Sequence, residues 1–286
     1  MRIAFLTLGC KLNYAETSTY ERGFVANGLT VVPWEEKADV YLINTCSVTE
    51  RAEKKCRNVI RKMHRTSPEA RIIVTGCYAE LRRDDLQAIE GVALVFGAKE
   101  KSKVVPETMQ LLLNSTDGGY DATGTVAARG HVNGWTAVGG TGRSAKREGS
   151  GGVISADGTN INIKEISKET MAAFSSEERT RSFLKVQDGC NNFCAYCTVP
   201  YARGNSRNIP ISEVMEQARK IAESGIKEIV ITGVNTGDFG RTTGESFLDL
   251  LKRLNDVEGI ERYRISSIEP NLITEDIIDW IASGTK

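Results

Sequence analysis

Short apolar runs alternate with amphipathic stretches over residues 2–113 and again over 183–282, and this alternation is the strongest constraint on the fold. A strand, a crossover helix and a second strand make a βαβ unit, and a series of such units makes a parallel sheet. The runs 2–9, 39–46, 71–77 and 94–97 read as strands, with a shorter one at 29–34. Segments 13–25, 50–64, 79–89 and 99–113 read as helices. Asn13 is the expected cap of the first and Gly28 its stop. Ala52, Val59, Ile60 and Met63 are the expected inner positions of the second. From residue 181 the pattern resumes, with strands at 183–187, 228–232 and 262–267, a helix capped by Ser212 and ended by Gly225, and helices beginning at Ser246 and Thr274. The expected class is α/β: an N-terminal Rossmann-like parallel sheet domain and a partial (β/α) barrel.

Between the two patterned regions the composition changes. Residues 117–152 carry 11 glycines in 36 positions, several times the average usage of ~7%. Such a stretch has too little apolar surface to offset its ordering entropy. The motif GGTG at 139–142 lacks the following Lys-Ser/Thr of a phosphate loop, so a linker or insert is expected. Some alternation returns at 154–166, consistent with a hairpin turning on Asp157-Gly158. The expected division is 1–113, a linker at 114–179, and 180–286.

Cysteine placement carries the chemistry. Cys190, Cys194 and Cys197 stand in a C-x3-C-x2-C array on one loop. Three thiolates that close cannot pair among themselves, and soft sulfur donors suit an iron–sulfur cluster or, less well, zinc. A full cluster takes four thiolates, so three leave one iron open. Cys10, Cys46 and Cys77 each follow an expected strand. Ligands of open α/β sheets bind at the carboxyl edge, so these three converge on one rim and make a second three-thiolate set. Taken singly, each is a small buried hydrophobe; Gly9 and Gly76 free the backbone beside two of them. Cys56 lies inside a helix and reads as a spectator.

The chain has 286 residues and a formal net charge of +0. No global positive field announces nucleic acid, so any such contact must be local and DNA is not expected. Arg51, Lys54, Lys55, Arg57, Arg61, Lys62 and Arg65 form a basic stripe on one helix, balanced by Glu50 and Glu53, and read as a solvated face. Arg203 and Arg207 flank the cysteine loop as candidate phosphate contacts. No apolar run reaches the ~18 residues of a membrane span. Seven cysteines without an export signal point to reduced thiols and a cytoplasmic location. His64 and His131 are the only histidines, and neither sits in a nucleophile motif, which disfavours hydrolases.

Six ordered motifs, TLGCKLN (7–13), INTCSVTERAEKK (43–55), VTGCYAE (74–80), KVQDGCNNFCAYCTVPYARG (185–204), TGVNTGDFG (232–240) and SSIEP (266–270), resemble those of the radical S-adenosylmethionine (SAM) methylthiotransferases. TLGCKLN, TGCYA and QDGCN-x-FC-x-YC look most like the branch that methylthiolates carbon 2 of N6-threonylcarbamoyladenosine in tRNA. Branches acting on isopentenyladenosine tRNA or a ribosomal-protein aspartate are the alternatives, as is a non-catalytic RNA-associated metal protein. The resemblance implies two [4Fe-4S] clusters. A radical SAM cluster would be held by Cys190, Cys194 and Cys197 and an auxiliary cluster by Cys10, Cys46 and Cys77. The open iron of the first would bind SAM, with Gly233, Asn235, Ser267 and Glu269 as SAM-contacting positions. The implied partners are a tRNA anticodon loop and an electron donor such as flavodoxin or ferredoxin. The family joins its first two domains by a short connection, completes the radical SAM barrel and adds a small RNA-binding domain. Here ~65 residues intervene and the pattern ends after three βα units, so a truncated chain is the expectation.

Overall fold

Five parallel strands form the first sheet, in the order β2-β1-β3-β4-β5. They are β1 (Arg2–Thr7), β2 (Thr30–Val32), β3 (Val40–Thr45), β4 (Arg71–Gly76) and β5 (Val92–Phe96). The computed structural model describes residues 1–47, 49–116, 153–154, 160–161, 170–175 and 180–286. The central strand β3 is buried at all six positions, as expected of a parallel strand covered on both faces. Tyr41 and Ile43 pack with Ile60 and Met63 of α2 (Glu50–Thr66). Val40 and Leu42 face the other way, onto Tyr20 and Phe24 of α1 (Lys11–Ala26). The alternation of period two along the strand thus selects which helix each side chain meets.

The second sheet runs β13-β12-β9-β8. Strands β9 (Ser182–Lys185), β12 (Glu228–Thr232) and β13 (Arg262–Ile265) are parallel, and β8 (Ala173–Phe174) pairs antiparallel to β9. One face packs Leu184, Ile229 and Ile231 against Val214, Ala218 and Ile221 of α7 (Ile211–Glu223) and Leu250 and Leu254 of α8 (Phe247–Asn255). On the other face, Phe183 and Val230 meet Ala15 of α1. Helix α1 is therefore shared by both sheets, and Arg22 near its end donates to the Phe174 carbonyl (3.0 Å) and lies over the Phe174 ring.

Several elements differ from expectation. Segment 79–89 is two short helices, α3 (Cys77–Leu81) and α4 (Arg83–Gln87), because Arg82 leaves helical dihedrals (φ −144°, ψ 53°). The break accompanies a bond from the Ala98 amide to Glu80 Oε2 (2.6 Å). Segment 99–113 opens as a 3-10 turn, Ala98–Lys103, before α5 (Val104–Thr116). Helix α7 starts without a cap from Ser212; Glu245, distant in sequence, accepts from the Ile211 amide (2.9 Å) instead. Strand β8 was not expected, nor was the hairpin of β10 (Gln187–Asp188) and β11 (Arg207–Asn208), nor α6 (Val199–Arg203) between them. A pair β6 (Val153–Ile154) and β7 (Asn160–Ile161) is antiparallel, in line with the expected hairpin, though its turn lies outside the described residues. The glycine-rich stretch 117–152, GGTG and His131 included, also lies outside them. A last helix, α9 (Glu275–Ala282), follows β13.

Gly76 closes β4 with φ +103°. A Cβ there would stand 2.6 Å from Asn44 Oδ1 and 2.7 Å from the Thr45 amide nitrogen. Gly76→Ala is expected to cost at least about 2 kcal/mol, since the conformation is strained for any L side chain and the Thr45 backbone among the neighbours cannot easily yield. Urea unfolding checks it: the midpoint should fall with an unchanged slope.

Candidate metal and cofactor site

The first set of cysteines sits where the strands end. Cys46 follows β3 directly, Cys77 follows Gly76 of β4, and Cys10 lies just beyond β1 as the residue preceding α1. These three strands are neighbours in the sheet, so the three thiols share one carboxyl rim. Asn13 ties the rim together. It is not the helix cap; its Nδ2 donates to Asn44 Oδ1 (2.7 Å) and the Thr45 carbonyl (3.0 Å), and its Oδ1 accepts from Cys10 Sγ (3.1 Å). Cys10 is exposed and Cys46 half-buried. Cys77 has its thiol pKa pushed up to about 11, by burial first, with Arg203 the foremost opposing charge. Cys56 is in the apolar core, its Sγ 3.7 Å from the Cys46 carbonyl.

The second set lies on the loop after β10. The Cys190 amide donates to the Gly204 carbonyl (3.1 Å) and the Cys197 amide to the Cys194 carbonyl (3.0 Å), which folds the loop into a tight bend. Burial pushes the Cys190 thiol up; Asp238, Cys197 and Glu269 add to that, while the Asn192 amide at 3.4 Å opposes it. Cys194 is exposed. Asn192 Nδ2 donates to Glu269 Oε1 (2.7 Å), and the Glu269 amide donates to Asn235 Oδ1 (3.3 Å). Gln187 Oε1 accepts from the Val234 and Asn235 amides (2.8 and 3.0 Å), and a Cβ on Gly233 would stand 2.8 Å from that oxygen. Ser267 adopts φ +58°, and its carbonyl accepts from the Thr236 amide (2.9 Å). Gly233, Asn235, Ser267 and Glu269 are thus gathered beside the cysteine loop. Asn235 Nδ2 and Asp238 Oδ2 are buried with no partner among the described residues, as expected of polar atoms left for a ligand.

The two sets face one another. Thr198, next to Cys197, donates to the carbonyl of Ser47, next to Cys46 (3.4 Å), and α3 packs on α6. Among the described residues, no three Cys, His, Asp or Glu side chains close on one metal ion. An iron–sulfur cube gives each thiolate a different iron, so its ligands surround a volume rather than meet at a point. Zinc in a structural site requires such a meeting point. The donor chemistry of both sets, three thiols on a rim or a tight loop, fits a cluster.

Between the rims lies a charge network that the sequence did not reveal. Lys101 Nζ, Lys185 Nζ and Arg203 Nη1 all reach Glu16 Oε1 (3.0, 3.0 and 3.1 Å). The same three cations reach Asp188 (3.1, 2.7 and 3.0 Å), and Arg207 joins it at 3.6 Å. All six side chains are buried. Burial alone would raise the Glu16 and Asp188 carboxyls, but the surrounding cations outweigh it and hold both well below the usual carboxylate range. Burial depresses Lys185, whereas Asp188 and Glu16 outweigh burial at Lys101 and raise it. Arg203 and Arg207 are consequently not surface phosphate contacts, which corrects the expectation for both. On α2, Arg51, Lys54, Lys55, Arg61, Lys62 and Arg65 are exposed, while Arg57 donates to the Tyr78 hydroxyl (2.5 Å).

Comparison with known proteins finds two family regions and a set of relatives. Residues 2–97 match the uncharacterized protein family UPF0004, and residues 184–284 match the radical SAM superfamily. The threonylcarbamoyladenosine tRNA methylthiotransferase MtaB of Bacillus subtilis is 37% identical over 99% of this chain and 55% of its own length. The protein of the same name from Aquifex aeolicus is 32% identical over 100% of this chain and 60% of its own. The chain thus joins a UPF0004 region to a radical SAM region and is related to these methylthiotransferases. It spans little more than half the length of the curated relatives it matches. A radical SAM methyltransferase, TsrM, from Kitasatospora setae covers 89% of this chain and 51% of its own at TM-score 0.49 and 10% identity, too weak a likeness to carry an argument. The radical SAM match implies SAM and an iron–sulfur cluster as cofactors. No helix among the described residues is long and apolar enough to cross a membrane.

Proposed function

We propose that this chain carries the catalytic apparatus of an enzyme that adds a methylthio group to carbon 2 of N6-threonylcarbamoyladenosine beside a tRNA anticodon. Its cofactors are SAM and two [4Fe-4S] clusters, one on Cys190, Cys194 and Cys197 and one on Cys10, Cys46 and Cys77. The observation that carries this reading is the pair of cysteine sets, each beside the carboxyl rim of a parallel sheet and joined by the Thr198–Ser47 bond. Cys190, Cys194 and Cys197 would hold the cluster whose electron reduces SAM, and Cys10, Cys46 and Cys77 the one that would provide iron-held sulfur. Asn235 and Asp238 offer unpartnered polar atoms for the amino and carboxylate ends of SAM. Asn192, Glu269 and Gln187 hold that turn against the cysteine loop. Glu16, Lys101, Lys185, Asp188 and Arg203 fill the space behind with paired charge and exclude bulk water from a radical reaction. A single-stranded anticodon loop can splay its adenine into a pocket of this kind. A small electron-transfer protein such as flavodoxin or ferredoxin supplies the reductant.

Anaerobic reconstitution tests the reading. About eight irons per chain are expected, as for two four-iron cubes, together with reductant-dependent release of 5′-deoxyadenosine from SAM. Nucleoside mass spectrometry of tRNA from a deletion strain should show unmodified threonylcarbamoyladenosine accumulating. Loss of methylthio-isopentenyladenosine instead would reassign the substrate, and bound zinc without SAM cleavage would defeat the proposal.

A further inference from the structure

Four cations surround two carboxylates in the buried network, so positive charge is in excess there. Arg203 directs part of that excess toward the first cysteine rim. Its Nη1 bonds Glu16 and Asp188, while its Nη2 donates to Asn13 Oδ1 (2.9 Å). The same Asn13 oxygen accepts from Cys10 Sγ (3.1 Å). A guanidinium and a candidate ligand thiol are therefore separated by one shared acceptor. With Cys10 bound to a metal as thiolate, its proton released to solvent, the sulfur would no longer donate to Asn13, and a negative sulfur would stand one acceptor away from a fixed, buried cation.

Three thiolates outweigh the positive charge of the iron–sulfur core they bind, so the assembly is anionic, and one-electron reduction makes it more so. A cation buried beside it favours the reduced form, and the low dielectric of the interior strengthens the effect. Arginine suits the role because its charge survives burial, and its planar fork serves Glu16, Asp188 and Asn13 at once.

We propose that Arg203 is the counter-charge of the cofactor held by Cys10, Cys46 and Cys77 and sets that cofactor's reduction potential from the opposite sheet. This rests on the auxiliary-cluster reading above. Arg203 acts as a positioning and tuning residue; it is not a ligand. Its charge comes from α6 of the second sheet, whereas the thiols belong to the first. The potential of one half is thus determined by a residue of the other.

The test uses the Cys194→Ala chain as parent, so that the auxiliary cluster alone gives the signal. Arg203→Gln and Arg203→Lys are made in that parent and reconstituted anaerobically. Iron and sulfide are measured, and the midpoint potential is read by redox titration followed by electron spin resonance. Arg203→Gln should shift the reduction equilibrium at least tenfold toward the oxidised form, which is about 59 mV more negative for one electron. Arg203→Lys, which keeps the charge and loses the fork, should retain full iron and stay close to the parent. An unchanged potential in Arg203→Gln with full iron overturns the proposal, because a purely structural side chain would give that result. If Arg203→Gln binds no iron, Arg203→Lys decides: the parental potential supports counter-charge, and a tenfold shift despite the retained charge overturns it. A parent that takes up no iron overturns the auxiliary-cluster reading itself, an outcome distinct from the others.

Discussion

Glu16→Gln should lower the stability of this chain by about 3–5 kcal/mol, the usual result of removing one partner from a buried ion pair. Three cations converge on Glu16 Oε1, and an amide leaves them facing one another with Asp188 as the remaining carboxylate. At about 2–4 °C per kcal/mol for a chain of this size, the thermal midpoint should fall by roughly 10 °C. Glu216→Gln, on the exposed Lys220–Glu216 pair of α7, serves as control and should leave the midpoint where it was. The deficit should also depend on pH, with a definite sign. Glu16 and Asp188 have folded-state pKa values below their ordinary ones, so their contribution is complete above the unfolded carboxylate pKa, about 4, and is lost as pH falls through the folded values. The gap between parent and variant should therefore hold from neutral pH down to about pH 4 and narrow below it. Equal melting of the two chains at pH 7 would show that the network contributes no net stability.

The second large effect separates the two cysteine sets. Cys194→Ala should lose about half the iron and all reductant-dependent SAM cleavage, because the remaining Cys190 and Cys197 cannot complete a cluster with an open iron. Cys46→Ala should also lose about half the iron, yet keep SAM cleavage and form no methylthio product. Cys194 is exposed and Cys46 half-buried, so neither substitution opens a core cavity. Cys56→Ala, inside the apolar core, should keep the full iron content at a cost in stability. Iron analysis alongside product analysis checks all three. Failure of SAM cleavage in Cys46→Ala despite a loaded radical SAM site would mean that the sets do not work separately.

The parts of this molecule that repeat were legible in its sequence. The apolar runs of β3 and β4 and the helix between them have the periods of their structures, and Cys46 and Cys77 could be placed at strand ends from those periods alone. The helix beginning at Ser246 was equally readable, and the structure makes Ser246 its cap, the hydroxyl accepting from the Asp249 amide. Contacts set by three-dimensional proximity were not. Arg203 and Arg207 show their charge in the sequence but not their burial, and so resembled phosphate contacts. Lys185 lies within an apolar strand, and Glu16 between buried Ala15 and Tyr20 on α1. Opposite charges at two inner positions were the available signal, but 169 residues separate that pair and no period links them. The antiparallel β8 and the β10–β11 hairpin are too short to show a pattern.

Helix α1 has consequences for descent as well as for folding. It is a core element of both sheets, and its buried carboxylate, Glu16, is neutralised from both sides, by Lys101 of its own half and by Lys185 and Arg203 of the other. A chimaera joining the front of this chain to the back of a distant relative would inherit a carboxylate without its full set of cations, or the reverse. The two halves are thus bound to drift together, and recombination at the seam between them selects against itself.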